Sequence, residues 1–317
     1  MAPLRIIFMG TAELACASLN ALKQWTGCEV VAVVTQPDKP KGRDLKLQPS
    51  QVKKLALELN LPVQQPIKAR APDFVTTLRE FVPDLIVVVA YGQILPQTVL
   101  DLPRLGCLNV HTSLLPKYRG AAPIQWAILD DEAQTGVTIM KMDAGLDTGD
   151  ILAQSVTPIL PADNAETLHD RLALIGAELL TDTIPNFTAG NIVAQKQPTE
   201  GGSYARKISK EDGKLIWSEP ARKLWNQVRA FTPWPGAFTF QMTGASKRLL
   251  KIWQAEPIES SSAESGTVIA ADKTGIVVAC GRNSLRLLSL QREGGRRLSV
   301  QEFLAGNPVQ IGSKFGE

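Results

Sequence analysis

Asn109 and His111 stand two residues apart in the stretch 106–124, GCLNVHTSLLPKYRGAAPI. At the end of a strand that spacing sends both side chains to one face, an amide donor beside an imidazole. A second cluster, Met142-Asp143-Ala144-Gly145-Leu146-Asp147-Thr148-Gly149-Asp150, sets three carboxylates and two glycines between the apolar runs 137–142 and 151–156. Together these are the parts for attack of an amine on a carboxamide-like carbonyl. Such a reaction passes through a tetrahedral intermediate with negative charge on oxygen, and fixed N–H donors aimed at that oxygen contribute on the order of 3 kcal/mol each. A carboxylate beside the imidazole orients it and favours its cationic form. Asp147 is the best placed of the three. The residue types leave acyl transfer and hydrolysis both open, and no nucleophilic Ser or Cys is indicated. Plainer readings compete: a buried structural histidine bonded to backbone, and an acidic turn in which Asp and Gly serve only the backbone. A calcium loop needs more oxygen ligands at alternating positions than this cluster offers, and no metal site is expected. The other histidine, His169, falls within a helical pattern and reads as a surface residue.

The elements that must carry these residues are legible from hydrophobic periodicity. Apolar runs of strand length at 5–9, 30–35, 85–90 and 107–111 alternate with amphipathic stretches at 12–22 and 51–59, the order of a βαβα unit. The runs VVAVV and LIVVVA are apolar at successive positions, as strands covered on both faces by helices require. Ser50 is placed to cap one helix, and Asn164 another whose stripe is Leu168, Leu172, Ile175 and Leu179. In an open α/β sheet ligands bind beyond the carboxyl ends of the strands, where Asn109 and His111 stand. Gly10 follows the first strand alone and not in a GxGxxG pattern, so a tight strand-to-helix turn is expected there and a nicotinamide site is only weakly supported.

Around 197–203 the periodicity is lost, as in a linker, and the expected division is a first domain at 1–190, a linker at 191–206 and a second domain at 207–317. The second part opens with a helix begun by Pro220, with Ala221, Leu224 and Val228 on one face. Short β-rich runs follow at 237–242, 249–255, 267–271, 275–280 and 285–290. That spacing suggests a small β-barrel. The whole chain of 317 residues is 44% hydrophobic and 21% charged with a net charge of +3, an ordinary soluble globular composition that excludes disorder and a disulfide-stapled miniature. The charge is divided unevenly: residues 1–190 carry 16 Lys and Arg against 20 Asp and Glu, whereas 191–317 carry 18 against 11. A basic second half suggests an anionic partner, with nucleic acid the usual candidate. The opening MAPLRIIFMG reaches a polar Glu13 too soon for a signal peptide or membrane span and reads as a buried first strand of a cytoplasmic protein. Cys16, Cys28, Cys107 and Cys280 lie far apart with no CxxC pair and are expected to be plain thiols.

Asn109-x-His111-x-Ser113-Leu114-Leu115-Pro116-x-x-Arg119-Gly120, followed by Leu146-Asp147-Thr148-Gly149-Asp150, resembles the formyltransferases that use 10-formyltetrahydrofolate. The likeness extends through Thr35-Gln36-Pro37-Asp38, Gly42-Arg43, Ala90-Tyr91-Gly92, Ala121-Ala122-Pro123-Ile124 and Pro233-Trp234-Pro235, and is greatest toward those members that formylate an aminoacylated tRNA. The resemblance implies a Rossmann-like, mostly parallel sheet domain that holds the folate, and a smaller OB-like β-barrel domain that helps hold tRNA. It implies that Asn109, His111 and Asp147 are catalytic. Ser113, Leu114, Leu115, Pro116, Gln93, Ile94 and Leu95 would border the folate. The family's tRNA-engaging loop would fall at 38–48, where Lys39, Lys41, Arg43 and Lys46 also look, on charge alone, like a phosphate-contacting or merely solvated run. The implied substrates are 10-formyltetrahydrofolate, consumed as co-substrate, and initiator methionyl-tRNA, with no metal, membrane or obligate protein partner. Formylation of a purine precursor or an amino sugar nucleotide is the rival within the same chemistry, and a non-catalytic RNA-binding protein the rival outside it.

Overall fold

The computed structural model describes residues 2–41, 45–243, 246–260 and 263–316. The chain forms two compact units, one of Met1–Pro123, Gln134–Pro158 and His169–Arg206, the other of Ile124–Ala133, Ile159–Leu168 and Lys207–Glu317.

In chain order the first unit contains β1 (Leu4–Gly10), α1 (Ala15–Gln24), β2 (Cys28–Val34), the short strands β3 (Lys39–Lys41) and β4 (Lys46–Gln48), α2 (Gln51–Glu58), β5 (Val63–Gln64), α3 (Pro72–Glu80), β6 (Leu85–Val89), α4 (Gln97–Leu100), β7 (Cys107–His111) and β8 (Arg119–Gly120). Then come α5 (Pro123–Leu129), β9 (Gln134–Lys141), β10 (Ile151–Pro158), α6 (Ala165–Thr188) and β11 (Tyr204–Ala205), with α5 and α6 running across the division between units. The main sheet has the order β10-β9-β7-β6-β1-β2-β5. β5, β2, β1, β6 and β7 are parallel, and β9 and β10 add an antiparallel edge beside β7. The chain starts mid-sheet at β1, moves outward to β5 and returns to the other side of β1 at β6. The β1/β6 boundary is therefore the switch point beyond which ligands bind. Gly10 pairs with Val89 and Val88 with Asn109, so the ends of the three central strands lie level.

All five residues of β6 and of β7 are buried, as the unbroken apolar runs require of strands covered on both faces. Ser50 caps α2, its hydroxyl accepting from the Lys53 amide at 3.0 Å, and the Asn164 side chain accepts from the amides of Glu166 and Thr167 at the start of α6. The first helix begins at Ala15, three residues later than its apolar periodicity suggests, because residues 12–14 form a tighter turn in which the Ala15 amide donates to the Ala12 carbonyl and the Cys16 amide to the Glu13 carbonyl.

The second unit contains a 3-10 turn at Glu211–Gly213, α7 (Ala221–Ala230), β12 (Ala237–Thr243), β13 (Ser246–Ile258), β14 (Val268–Asp272), β15 (Gly275–Ala279), β16 (Ser284–Arg292), β17 (Leu298–Ser299), α8 (Val300–Gly306) and β18 (Phe315–Gly316). Its sheet is antiparallel, ordered β14-β15-β16-β13-β12-β18 with β17 on β16. A bridge between Thr267 and Lys314 draws the β14 and β18 edges together and curls the sheet toward a barrel. Trp217, Leu224, Val228, Ile252, Val278, Leu287 and Phe303 form its core, while Ile7, Met9, Val34, Leu78, Ile86 and Tyr91 belong to a separate core in the first unit.

Candidate active site

Asn109 and His111 alternate with Val110 along β7 and face the same way at its carboxyl end, paired across to Met140 and Thr138 of β9. The loop that follows β9 brings Asp147 back against both. Asn109 Nδ2 donates to Asp147 Oδ1 at 3.4 Å, and His111 Nδ1 lies 3.8 Å from Asp147 Oδ2. The His111 and Asp147 side chains are 7% and 14% exposed. Both separations are long for hydrogen bonds, so neither side chain is tightly paired with the Asp147 carboxylate.

The imidazole is fixed from its other side. His111 Nε2 lies 2.8 Å from the Tyr118 carbonyl oxygen. A carbonyl can only accept, so Nε2 carries a hydrogen and Nδ1 is the nitrogen turned to Asp147.

The three carboxylates of the loop divide their work. Asp143 accepts from the Gly145 amide and the Thr148 hydroxyl and so closes the turn. Asp150 contributes its backbone, its carbonyl accepting from the Lys141 amide at 2.9 Å. Asp147 alone of the three meets Asn109 and His111. Its backbone sits at φ 52°, in the left-handed region that disfavours a β-carbon. Gly149 is required nearby, since a β-carbon there would collide with the Lys141 carbonyl. The Gly120 amide donates to Asp147 Oδ2 at 2.8 Å, and Gly120 itself, at φ 112°, has no room for a side chain against the Ala205 carbonyl.

Ser113, Leu114, Leu115 and Pro116 form a tightly bonded turn after β7. Ser113 Oγ donates to the Lys117 carbonyl. Thr138 Oγ1 accepts from the Leu115 amide and donates to the Ser113 carbonyl, and Gln154 Nε2 donates to the Leu115 carbonyl and to Thr138 Oγ1. The Leu115–Pro116 bond is cis. Beyond β6, Gln93 ties down the 67–69 loop, accepting from the Ala69 amide and donating to the Ile67 carbonyl. Leu95 is buried in the core whereas Ile94 is 81% exposed beside the switch point. The 38–48 loop carries a β3/β4 hairpin with exposed Lys39 and Lys46. Lys39 Nζ donates to Gln36 Oε1, Lys41 pairs through its backbone with Lys46, and Arg43 lies outside the described residues.

One contributor escaped the sequence reading. Gln197, in the stretch read as a linker, donates from Nε2 to the carbonyls of Asp147 and Gly149, each at 2.8 Å. Its Oε1 accepts from Arg119 Nε and Nη2 at 3.0 and 2.7 Å. Arg119 belongs to a recognisable motif, but nothing in the aperiodic text around Gln197 announces a contact fifty residues back along the chain. Among the described residues no group of three or more His, Cys, Asp or Glu is arranged to hold a metal ion, and no helix is long and apolar enough to cross a membrane.

Comparison with known proteins finds the family described as "Formyl transferase" matching residues 4–184 and "Formyl transferase, C-terminal domain" matching 207–308. The chain is 49% identical over 317 residues to a methionyl-tRNA formyltransferase of Geobacter sulfurreducens, covering 100% of this chain and 98% of that one. It is 46% identical over 311 residues to one from Caldanaerobacter subterraneus, covering 98% and 99%. Among solved structures, the N-formyltransferase of Helicobacter canadensis in complex with folinic acid and dTDP-3-aminofucose superposes with a TM-score of 0.64 at 21% identity, over 90% of this chain and 99% of that one. HypX of Aquifex aeolicus does so with a TM-score of 0.62 at 18% identity, over 98% of this chain and 49% of that one. Those two likenesses concern the fold.

Proposed function

Since this chain belongs to the formyl transferase family, we propose that it transfers a formyl group from 10-formyltetrahydrofolate to the amino group of methionine carried by initiator tRNA. The observation that carries the chemistry is the convergence of Asn109 and His111 on Asp147 at the end of β7. The tRNA acceptor is supported by near-complete coverage of relatives so named, second unit included, and by the basic second half.

The neutral methionyl amine attacks the formyl carbon, and the carbon's bond to the folate nitrogen breaks. Asn109 Nδ2–H and the His111 ring, with a proton on Nδ1, donate to the oxygen as it becomes negative. Asp147 holds His111 in its orientation and, directly or through a water, takes the proton that the attacking nitrogen sheds. The folate nitrogen regains one, so charge and protons balance. Ser113, Leu114, Leu115 and Pro116 on one side and Gln93, Ile94 and Leu95 on the other border the folate. The bonded turn at 113–116 offers a wall already ordered before the ligand arrives. Lys39, Lys41, Arg43 and Lys46 contact the acceptor end of the tRNA. We assign the folate site and the chemistry to 1–190, the connection to 191–206 and further tRNA contacts to 207–317, in a protein of the cytoplasm.

The experiment is incubation with 10-formyltetrahydrofolate and methionine-charged initiator tRNA, with release and identification of formyl-methionine, alongside an amino sugar nucleotide as rival acceptor. Formyl-methionine from the tRNA arm is the expected product. Formylation of the sugar nucleotide with the tRNA left untouched would overturn the assignment.

A further inference from the structure

We propose that Gln197 is a positioning residue for the reaction, locking the loop that presents Asp147; the inference rests on the catalytic assignment of Asp147 made above. The two models of the formyl transferase family stop at 184 and resume at 207, so the stretch that contains Gln197 lies in neither.

The argument is one of a closed ring. The single Nε2 amide group of Gln197 spends both its hydrogens on backbone carbonyls either side of Thr148, those of Asp147 and Gly149. Its Oε1 is taken by the Arg119 guanidinium. The residue after Arg119, Gly120, gives its amide to the carboxylate of Asp147. Backbone and side chain of Asp147 are thus held from Gln197 and Gly120 at once, and these two holders are joined through Arg119. A flipped amide would set Oε1 against two carbonyl oxygens and the NH2 against a guanidinium, so only one orientation of Gln197 satisfies the ring. The ring is itself anchored. β8 pairs in parallel with β11, Ser203 Oγ accepts from the Tyr118 amide, and Gln195 and Ile151 exchange both backbone hydrogen bonds.

Such a ring is what Asp147 needs. It adopts φ 52° with a side chain present, a conformation that persists where surroundings over-determine it. The rest of its loop is without regular structure. Release of the two carbonyls lets the loop relax and carries the carboxylate away from His111 Nδ1, and a misplacement on the order of 1 Å in a reacting constellation costs up to about 100-fold.

The test compares Gln197→Ala, Gln197→Glu and Gln197→Met, each alone and combined with Asp147→Asn, in the full chain by steady-state kinetics. Gln197→Glu keeps the length and the acceptor for Arg119 but loses both hydrogens, and Gln197→Met keeps only the length. Expected is a fall in kcat of about 10- to 100-fold for all three, with KM for folate and for tRNA within about threefold and melting temperature close to wild type. In the Asp147→Asn background the same changes should cost little more, because the group they position is gone. Wild-type kcat in Gln197→Glu, losses that multiply in the double variants, or a loss confined to KM would each overturn the proposal. Should Asp147→Asn itself keep near-normal kcat, the assignment of Asp147 falls and this inference with it. An inactive Asp147→Asn beside active Gln197 variants overturns the inference alone.

Discussion

His111 has each ring nitrogen committed by its surroundings, Nε2 to the Tyr118 carbonyl and Nδ1 to the face shared with Asp147. In the proposed mechanism, removing the ring removes a donor whose value is greatest once charge has moved to the substrate oxygen. His111→Ala and Asn109→Ala are therefore expected to lower kcat roughly 100-fold or more each, with tetrahydrofolate affinity little changed. Rapid-quench turnover beside equilibrium binding checks this, and near-normal turnover in either variant removes its assigned role. The pairing of these two side chains was legible because strand periodicity alone puts i and i+2 on one face. Which of three carboxylates would face them was legible only as a preference, since the choice depends on how the turn closes on Asp143. Gln197 was not legible at all: its work is done on backbone carbonyls, which leave no trace in residue pattern. The thiols behave as expected of isolated cysteines. Burial pushes Cys107 and Cys280 up to about 12 and Cys16 and Cys28 up to about 11. At pH 8 the native protein should hence react far more slowly with a thiolate-specific disulfide reagent than the urea-unfolded chain does, Cys107 slowest of all.

At the scale of elements, the β3/β4 hairpin is seated by Asp38, which accepts from Lys53 Nζ and from Gln65. Those hydrogen bonds hold the Asp38 carboxyl below its ordinary value, so the seat is intact at neutral pH and is lost as acid protonates the carboxyl through that lowered value. Gln36 ties the same region to the switch point, donating to the Tyr91 carbonyl. Of the hairpin's described cations, Lys39 and Lys46 are exposed, and the proposed tRNA contact of this loop is tested residue by residue. Arg43→Ala is expected to weaken productive use of tRNA more than Lys39→Ala or Lys46→Ala does, since a guanidinium both stacks on an unpaired base and forks onto phosphate. Folate affinity should hold. Binding titrations at several salt concentrations check this, each lost phosphate contact reducing the log–log slope by about 0.7 to 0.9. The hairpin itself went unseen because three-residue strands carry no periodicity. α8 also went unread, although Ser299 and Glu302 form a capping box there, each side chain bonded to the other's backbone amide. β13 runs to thirteen residues, beyond its apolar centre, because its first residues, Ser246, Lys247 and Arg248, pair with Thr243, Met242 and Gln241 of β12.

For the whole molecule, the alternation of apolar runs and amphipathic helices was enough to anticipate a parallel sheet followed by a β-rich unit, because each has its own period and its own core. Segments that cluster across the chain's midpoint were not foreseeable, since 124–133 and 159–168 read locally like the helices and loops around them but gather with the second unit. Within that unit Arg222 forks onto Asp131 and holds its carboxyl low, and the buried Arg229 donates to the carbonyls of Leu160 and Asp163. A chain cut after residue 206 strips both segments of these partners. It is expected to melt several degrees below the intact protein, as measured by calorimetry, and a fragment as stable as the whole would show that the two segments need no such support. The bridge from Thr267 to Lys314, with the paired amides around it, does more than curl the second sheet. It covers the border of that sheet where residues 266–268 meet 312–315. Shortening the chain from residue 313 onward would uncover a bare strand margin on each side, ready to recruit the same margin of another molecule. The expected consequence is a protein that clumps during expression, visible as loss from the soluble fraction, long before any defect in formyl transfer could be measured.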